Sequence, residues 1–243
     1  MIRGWNAKYS QIVQEFGYKR QDDRRAATIL DSIITKQFPM SKLKSMINNK
    51  PVFVIGSGPS LKSALPIIKK YEVVKICADT ALEALVQNKI TPQITVTDLD
   101  GNLALIKKSS KTGIVIVHAH GDNISKLTSA KNFKNCLGTT QTKDIGKISN
   151  FGGFTDGDRC VFLASRFGAS KIFLFGMDFG PKIGTYSNTK KSERRVKLKK
   201  LQYAKTLLEW LAPKTQSELY TLSNPIKGFK KITYQQLEHS VFS

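Results

Sequence analysis

The chain has 243 residues, 40% of them hydrophobic and 9% aromatic, which excludes a disordered chain and suits one large globular α/β unit. Its formal net charge is +21, from 39 Lys and Arg against 18 Asp and Glu, so an anionic partner or a crowded acidic cytosol is implied. The longest apolar runs, "GIVIVHA" (113–119) and "KIFLFGM" (171–177), are too short to span a bilayer, and "MIRGWNAKYSQ" lacks the apolar core of a signal peptide. A cytoplasmic protein with no membrane partner is expected, and a homo-oligomer stays open.

Residues 1–50 read as a helical cap. Trp5, Tyr9, Ile12, Val13 and Phe16 recur at helical spacing, "DDRRAATILDSIIT" opens with acids, and a short helix follows Pro39. From 51 to 243 the rhythm is that of a Rossmann-like catalytic domain. Strands are expected at "VFVIGSG" (52–58), "VVKICAD" (73–79), "QITVTD" (93–98), "GIVIVHAHG" (113–121), "NCLGTTQT" (135–142) and "KIFLFGMD" (171–178). Helices are expected at 60–71, limited or kinked by Pro66, at 80–88, at 157–168 and, basic and amphipathic, at 192–211. The tail from Asn224 is unassigned. Near-continuous Val/Ile strands alternating with helices predict a doubly wound, mostly parallel sheet covered on both faces. Cys77, Cys136 and Cys160 lie far apart in mostly apolar contexts and read as buried thiols, not zinc ligands.

Ligands of such a sheet bind beyond the carboxyl ends of its strands. There the chain places "GSGPS", Asp79, "DLDGN", "HAHGDN" and Asp178, a polar set low in lysine for so basic a protein. In the first, Gly56 and Gly58 allow close backbone approach and Pro59 suits a first helical position, so Ser57, Ser60 and the free amides could face an anion. A tight strand-to-helix turn without a ligand explains it equally well. If Asp98 and Asp100 continue strand geometry, their side chains share one side about 6–7 Å apart. Such acids repel unless a hard cation such as Mg²⁺ lies between them, the alternative being that Asp98 caps a helix starting near Asp100. Histidines are too few for a dinuclear hydrolase, so His118 and His120 are read as substrate-contacting or cleft-lining. Thr155 and Asp158 form the Asp variant of a capping box, beside which Asp156 could serve as base or ligand and Arg159 could meet a phosphate. The run "KKSERRVKLKK" (190–200) is either a solvated face or a phosphate-binding arm.

Six motifs in order, "VFVIGSGPSL", "ICADTALEAL", "TDLDGN", "VHAHGDN", "GFTDGDRCVFLA" and "IFLFGMDFG", resemble the archaeal-type 6-hydroxymethyl-7,8-dihydropterin pyrophosphokinases from about Trp5 to Leu211. The resemblance implies Mg²⁺-dependent transfer of diphosphate from ATP to the hydroxymethyl pterin, releasing AMP, in synthesis of folate- or methanopterin-type cofactors. Matched onto this chain it puts the glycine turn, Asp79, Asp98, Asp100, Asn102, His118, His120, Asp122, Asn123, Asp156, Asp158 and Arg159 at the site. In that frame we assign Mg²⁺ to Asp98 and Asp100, phosphate or nucleotide to Gly56–Ser60, and the hydroxyl proton to Asp156 or Asp122. Asp79 or Asp178 would read the pterin. The wider superfamily includes flagellin-modifying transferases and resembles sialyltransferases, so a nucleotide-sugar glycosyltransferase is the alternative. A basic nucleic-acid-binding protein is the weaker rival, because it leaves the acidic edge unexplained.

Overall fold

A computed structural model describes residues 2–187 and 189–242. Three helices open it: α1 (Trp5–Phe16), α2 (Arg20–Ile33) and α3 (Met40–Ile47). Then β1 (Pro51–Ile55), α4 (Leu61–Lys70), β2 (Val74–Ala78), α5 (Asp79–Gln87), β3 (Ile94–Thr97), α6 (Leu103–Thr112) and β4 (Ile114–Ala119) alternate. A 3₁₀ segment (Gly121–Asn132) leads to β5 (Cys136–Thr140), followed by α7 (Asp156–Arg166), β6 (Lys171–Phe175), α8 (Arg194–Leu211), β7 (Glu218–Thr221), β8 (Lys230–Lys231) and α9 (Tyr234–Phe242).

The strands form one eight-stranded sheet in the order β5-β4-β3-β2-β1-β6-β7-β8. Every neighbouring pair is parallel, so the sheet is wholly rather than mostly parallel. Residues alternate between its faces. Phe53 and Ile55 join the layer buried under α2, α4, α5, α6 and α9, while Val52 and Val54 join the layer under α1, α3, α7 and α8. From β1 to β5 the chain steps outward with its crossovers on one face, then returns through α7 on the other face to place β6 beside β1. Trp5, Tyr9, Ile12, Leu43 and Ile47 are buried with Val54, so α1 and α3 cap the sheet by completing its second layer. Pro66 does not end α4, which runs four residues further. Among the described residues no helix is long and apolar enough to cross a membrane. All three cysteines are free and buried.

Just before the unassigned tail, β7 extends the sheet beyond β6, and the tail itself holds β8, a short exposed edge, and α9, which buries Leu237 and Val241. α6 is a second addition. Its cap is Asn102, whose Oδ1 accepts from the Leu105 amide at 3.2 Å, and not Asp98.

Candidate active site

The carboxyl ends of the strands open into a cleft of about 630 Å³. Asp79, the first residue of α5, is held where β2 ends. Its Oδ2 accepts from the Thr97 hydroxyl at 2.7 Å and the Gly101 amide at 3.1 Å. Asp98 follows β3, and Asp156 opens α7. The Asp98 amide donates to Asp156 Oδ2 at 3.3 Å. One oxygen from each of Asp79, Asp98 and Asp156 lies within 4.8 Å of the others. Three short elements distant in sequence thus bring three acids to one point in the cleft.

Burial and the charge of Asp98 push the Asp79 carboxyl up to about 7, against the pull of its Thr97 and Gly101 hydrogen bonds. Asp156 is raised well above the carboxylate range by burial, then by the charges of Asp98 and Asp79. Burial also raises Asp98, but the His120 imidazole at 3.9 Å and the Asp100 amide outweigh it, and Asp98 ends below its ordinary value. The trio is one stabilised carboxylate flanked by two that resist ionisation. Hard oxygen donors that repel one another in this way suit a divalent cation of the Mg²⁺ type.

Asp100 does not belong to this cluster. Leu99 takes a left-handed conformation (φ 69°), which breaks the strand alternation that would aim Asp98 and Asp100 the same way. The Asp98 carboxylate instead accepts the Asp100 amide at 3.1 Å, and the Asp100 side chain turns to the rim, 61% exposed, where it pairs with Lys126.

The glycine turn also differs from its sequence reading. The Gly56 amide donates to Phe175 O (2.9 Å), that of Gly58 to Gly176 O (2.8 Å) and that of Ser60 to Asp178 Oδ2 (3.0 Å). The amides of Gly56, Gly58 and Ser60, expected to face an anion, are thus engaged by the last residue of β6 and the loop after it, and Asp178 occupies the start of α4. The glycines are needed for that approach: a Cβ at Gly56 would lie 2.7 Å from Gly176 O, and one at Gly58 2.6 Å from it. Ser57 and Pro59 line the cleft, and the Thr80 hydroxyl donates to Ser57 Oγ at 2.9 Å.

Several other expected residues are engaged in hydrogen bonds within the chain or lie outside the cleft lining. Asp158 is fully buried and accepts the amides of Phe154 (2.8 Å) and Thr155 (2.7 Å), the capping box expected at α7. Replacing Asp158 with Ala is expected to cost about 2 kcal/mol. A thermal midpoint roughly 4–8 °C lower would register this. Arg159 is 1% exposed and donates to the carbonyls of Gly152 (2.9 Å) and Gly153 (2.7 Å) and to His118 Nε2 (3.0 Å), so its guanidinium is engaged within the chain. Burial and the Arg159 charge keep His118 neutral. Asn123 is buried and braces the loop, donating to Asp98 O and His118 O. Asp122 is exposed, its carboxylate 3.9 Å from His120 Nδ1, and is not part of the cleft lining.

Sequence reasoning passed over Gln141 and Tyr18 and gave no role to Phe154 of the "FTDGDR" loop, all of which line the cleft. Gln141 directly follows β5, so the rule that ligands gather at carboxyl ends would have selected it. Of the basic run, Lys190, Lys197 and Lys200 line the cleft, joined by Lys182, whereas Lys191, Arg194, Arg195 and Lys199 do not.

Fold and site together define the class: a Rossmann-like α/β enzyme whose carboxyl edge gathers acids and lysines over one cleft. Residues 28–184 match the family described as 6-hydroxymethylpterin diphosphokinase MptE-like. A Methanocaldococcus jannaschii protein named 6-hydroxymethyl-7,8-dihydropterin pyrophosphokinase is 40% identical over 236 residues, spanning 89% of this chain and 98% of its own. A Pyrococcus furiosus protein of the same name is 40% identical over 226 residues, spanning 90% and 97%. The chain belongs to this diphosphokinase family. The MAf glycosyltransferase of Magnetospirillum magneticum AMB-1 shares the fold, with a TM-score of 0.57 at 14% identity over 86% of this chain and 39% of that one.

Proposed function

We propose that the protein transfers diphosphate from ATP to 6-hydroxymethyl-7,8-dihydropterin, giving AMP and the pterin diphosphate for a folate- or methanopterin-type cofactor. The observation that carries this reading is the 40% identity, over 89% and 90% of this chain, to two proteins bearing that name, and the acid-centred cleft supplies a compatible site. The pterin hydroxyl attacks the β-phosphorus and AMP leaves, a reaction in which positioning and charge neutralisation matter more than covalent chemistry.

Asp79, Asp98 and Asp156 would hold Mg²⁺, which when bound neutralises charge on the polyphosphate. Asp98 enters already ionised, with His120 beside it. With the cation bound and Asp156 ionised, its carboxylate oxygen left free by the cation would receive the hydroxyl proton, a role for which the exposed Asp122, outside the cleft lining, is badly placed. Lys182, Lys190 and Lys197 bring positive charge to the other wall of the cleft and would meet the triphosphate.

Incubation with ATP, Mg²⁺ and the hydroxymethyl dihydropterin should give AMP and the pterin diphosphate in equal amounts. Absence of AMP, with turnover of a nucleotide sugar instead, would overturn the reading.

A further inference from the structure

Gln141 is 2% exposed, lines the cleft, and its Oε1 accepts no hydrogen bond among the described residues. A buried acceptor left without a donor is costly, so its survival in a ligand cleft points to a ligand donor. The orientation of the amide is fixed by its surroundings. Nε2 donates to Asp23 Oδ2 at 2.8 Å, and reversing the amide would set its oxygen against that carboxylate. Asp23 is itself held by the Tyr9 hydroxyl (2.6 Å) and the Gly121 amide (2.9 Å). The Gln141 carbonyl is pinned by Trp5 Nε1 (2.9 Å) and Asn150 Nδ2 (3.0 Å). The wall of the cleft at Gln141 therefore holds a buried, rigid acceptor without a donor, polarised by the carboxylate behind it.

The sheet order says which ligand this acceptor meets. The acid trio comes from the ends of β2 and β3 and the start of α7, in the middle of the edge. On one side lie β1 and β6 with Ser57, Pro59 and the Lys182 and Lys190 loop, whose two cations suit a triphosphate, while Lys200 of α8 stands over the Tyr18 ring at 5.7 Å on the far side. On the other side lie β4 and β5, carrying His118, His120 and Gln141. Phe154 lines the cleft just beyond the Gly152 and Gly153 carbonyls that hold Arg159 against His118, and Tyr18 lies 6.3 Å from it, ring to ring. Two reactants that meet at the trio must approach from opposite sides.

We propose that the pterin ring occupies the β4–β5 side and that Gln141 Oε1 accepts from its amino and ring N–H donors, with the nucleotide on the β1–β6 side. The assignment rests on the diphosphotransfer reading above. It also replaces Asp79 and Asp178 as pterin readers. Asp79 is committed to Thr97, Gly101 and the trio, and Asp178 to the Ser60 amide.

Gln141→Met keeps the side-chain length and removes the acceptor. It should raise the KM for the pterin roughly tenfold and leave that for ATP within about twofold. The Kd for pterin alone, read by its fluorescence without nucleotide or metal, should weaken in parallel. Ser217→Ala, which removes a buried hydrogen bond to Ala169 O at 2.6 Å away from the cleft lining, should leave both unchanged. Equal effects of the two variants would make the loss structural and overturn the assignment, as would a change confined to ATP or no change at all. In the wild-type protein the Gln141 side-chain amide resonance should move on adding pterin and stay put on adding ATP; the reverse sinks the proposal whether or not the variant folds. A wild-type protein that binds pterin at Gln141 but releases no AMP would instead refute the diphosphotransfer reading and leave the subsite standing.

Discussion

Replacing Asp98 with Asn is expected to lower kcat by on the order of a thousandfold while leaving the metal-free thermal midpoint unchanged or slightly raised. Asp98 is the member of the trio that is ionised most readily, and its charge contributes to raising both Asp79 and Asp156. Removing that charge eliminates a cation ligand and relieves two repulsions at once, against the loss of one imidazole contact 3.9 Å away. The contrasting variant is Asp100→Asn. Because the Asp100 side chain is 61% exposed and paired with Lys126, kcat should stay within about tenfold of wild type, since surface ion pairs contribute little. Steady-state kinetics on the two variants decide between a trio and an adjacent pair. Comparable collapse of both would restore Asp98 and Asp100 as the metal ligands.

With EDTA present, the thermal midpoint should fall as pH rises from about 5 to 8, and Mg²⁺ should flatten that fall. Asp79 and Asp156 have folded pKa values above those of an unfolded carboxylate. A group shifted in that direction adds stability at pH values below its unfolded pKa and loses it as pH climbs through the folded one. The Asp79 value of about 7 puts the upper end of its window near neutrality. Asp98, shifted down, acts only below pH 4 or so and does not interfere. The loss should reach roughly a few kcal/mol at pH 8, a drop of about 5–10 °C by scanning calorimetry. A bound cation that favours the ionised trio removes the penalty, so the Mg²⁺-induced rise should be larger at pH 8 than at pH 5. A metal-free protein whose midpoint is flat over this range would mean that the three acids do not repel one another as their spacing requires.

The sheet was legible wherever a strand is buried on both faces. "VFVI", "VVKICA", "ITVT", "IVIVHA" and "KIFLF" are near-continuous apolar runs, and each became a strand whose ends lie within three residues of those expected. β7, "ELYT", stayed hidden because a four-residue strand with one exposed end carries too short a pattern. α6 was missed for a different reason. "LALIKKSSKT" buries only Ile106 and Ser110, so little periodicity marks it.

The site was legible as a location more than as a set of roles. Asp79, Asp98 and Asp156 were all selected from their places at element ends, but their convergence depends on which strands are neighbours, and that is written in no local stretch of the chain. The pairing of Asp98 with Asp100 failed at one backbone angle, since a leucine in a left-handed conformation is something that local propensity argues against. The glycine turn stayed ambiguous because a glycine demanded by a neighbouring loop looks the same in sequence as one demanded by a phosphate.

Trp5 lies outside the region that matches the family, residues 28–184, yet its indole holds the Gln141 carbonyl and packs 5.7 Å from Phe162 in α7. Leu207, Leu208 and Leu211 of α8 lie outside it too, in the same buried layer as Val161 and Phe162. The recognisable stretch is therefore not a portable unit. Excised alone, it would carry every acid of the trio but shed the apolar roof over the helix that presents Asp156, and the hydrophobic floor so bared would favour clumping over catalysis.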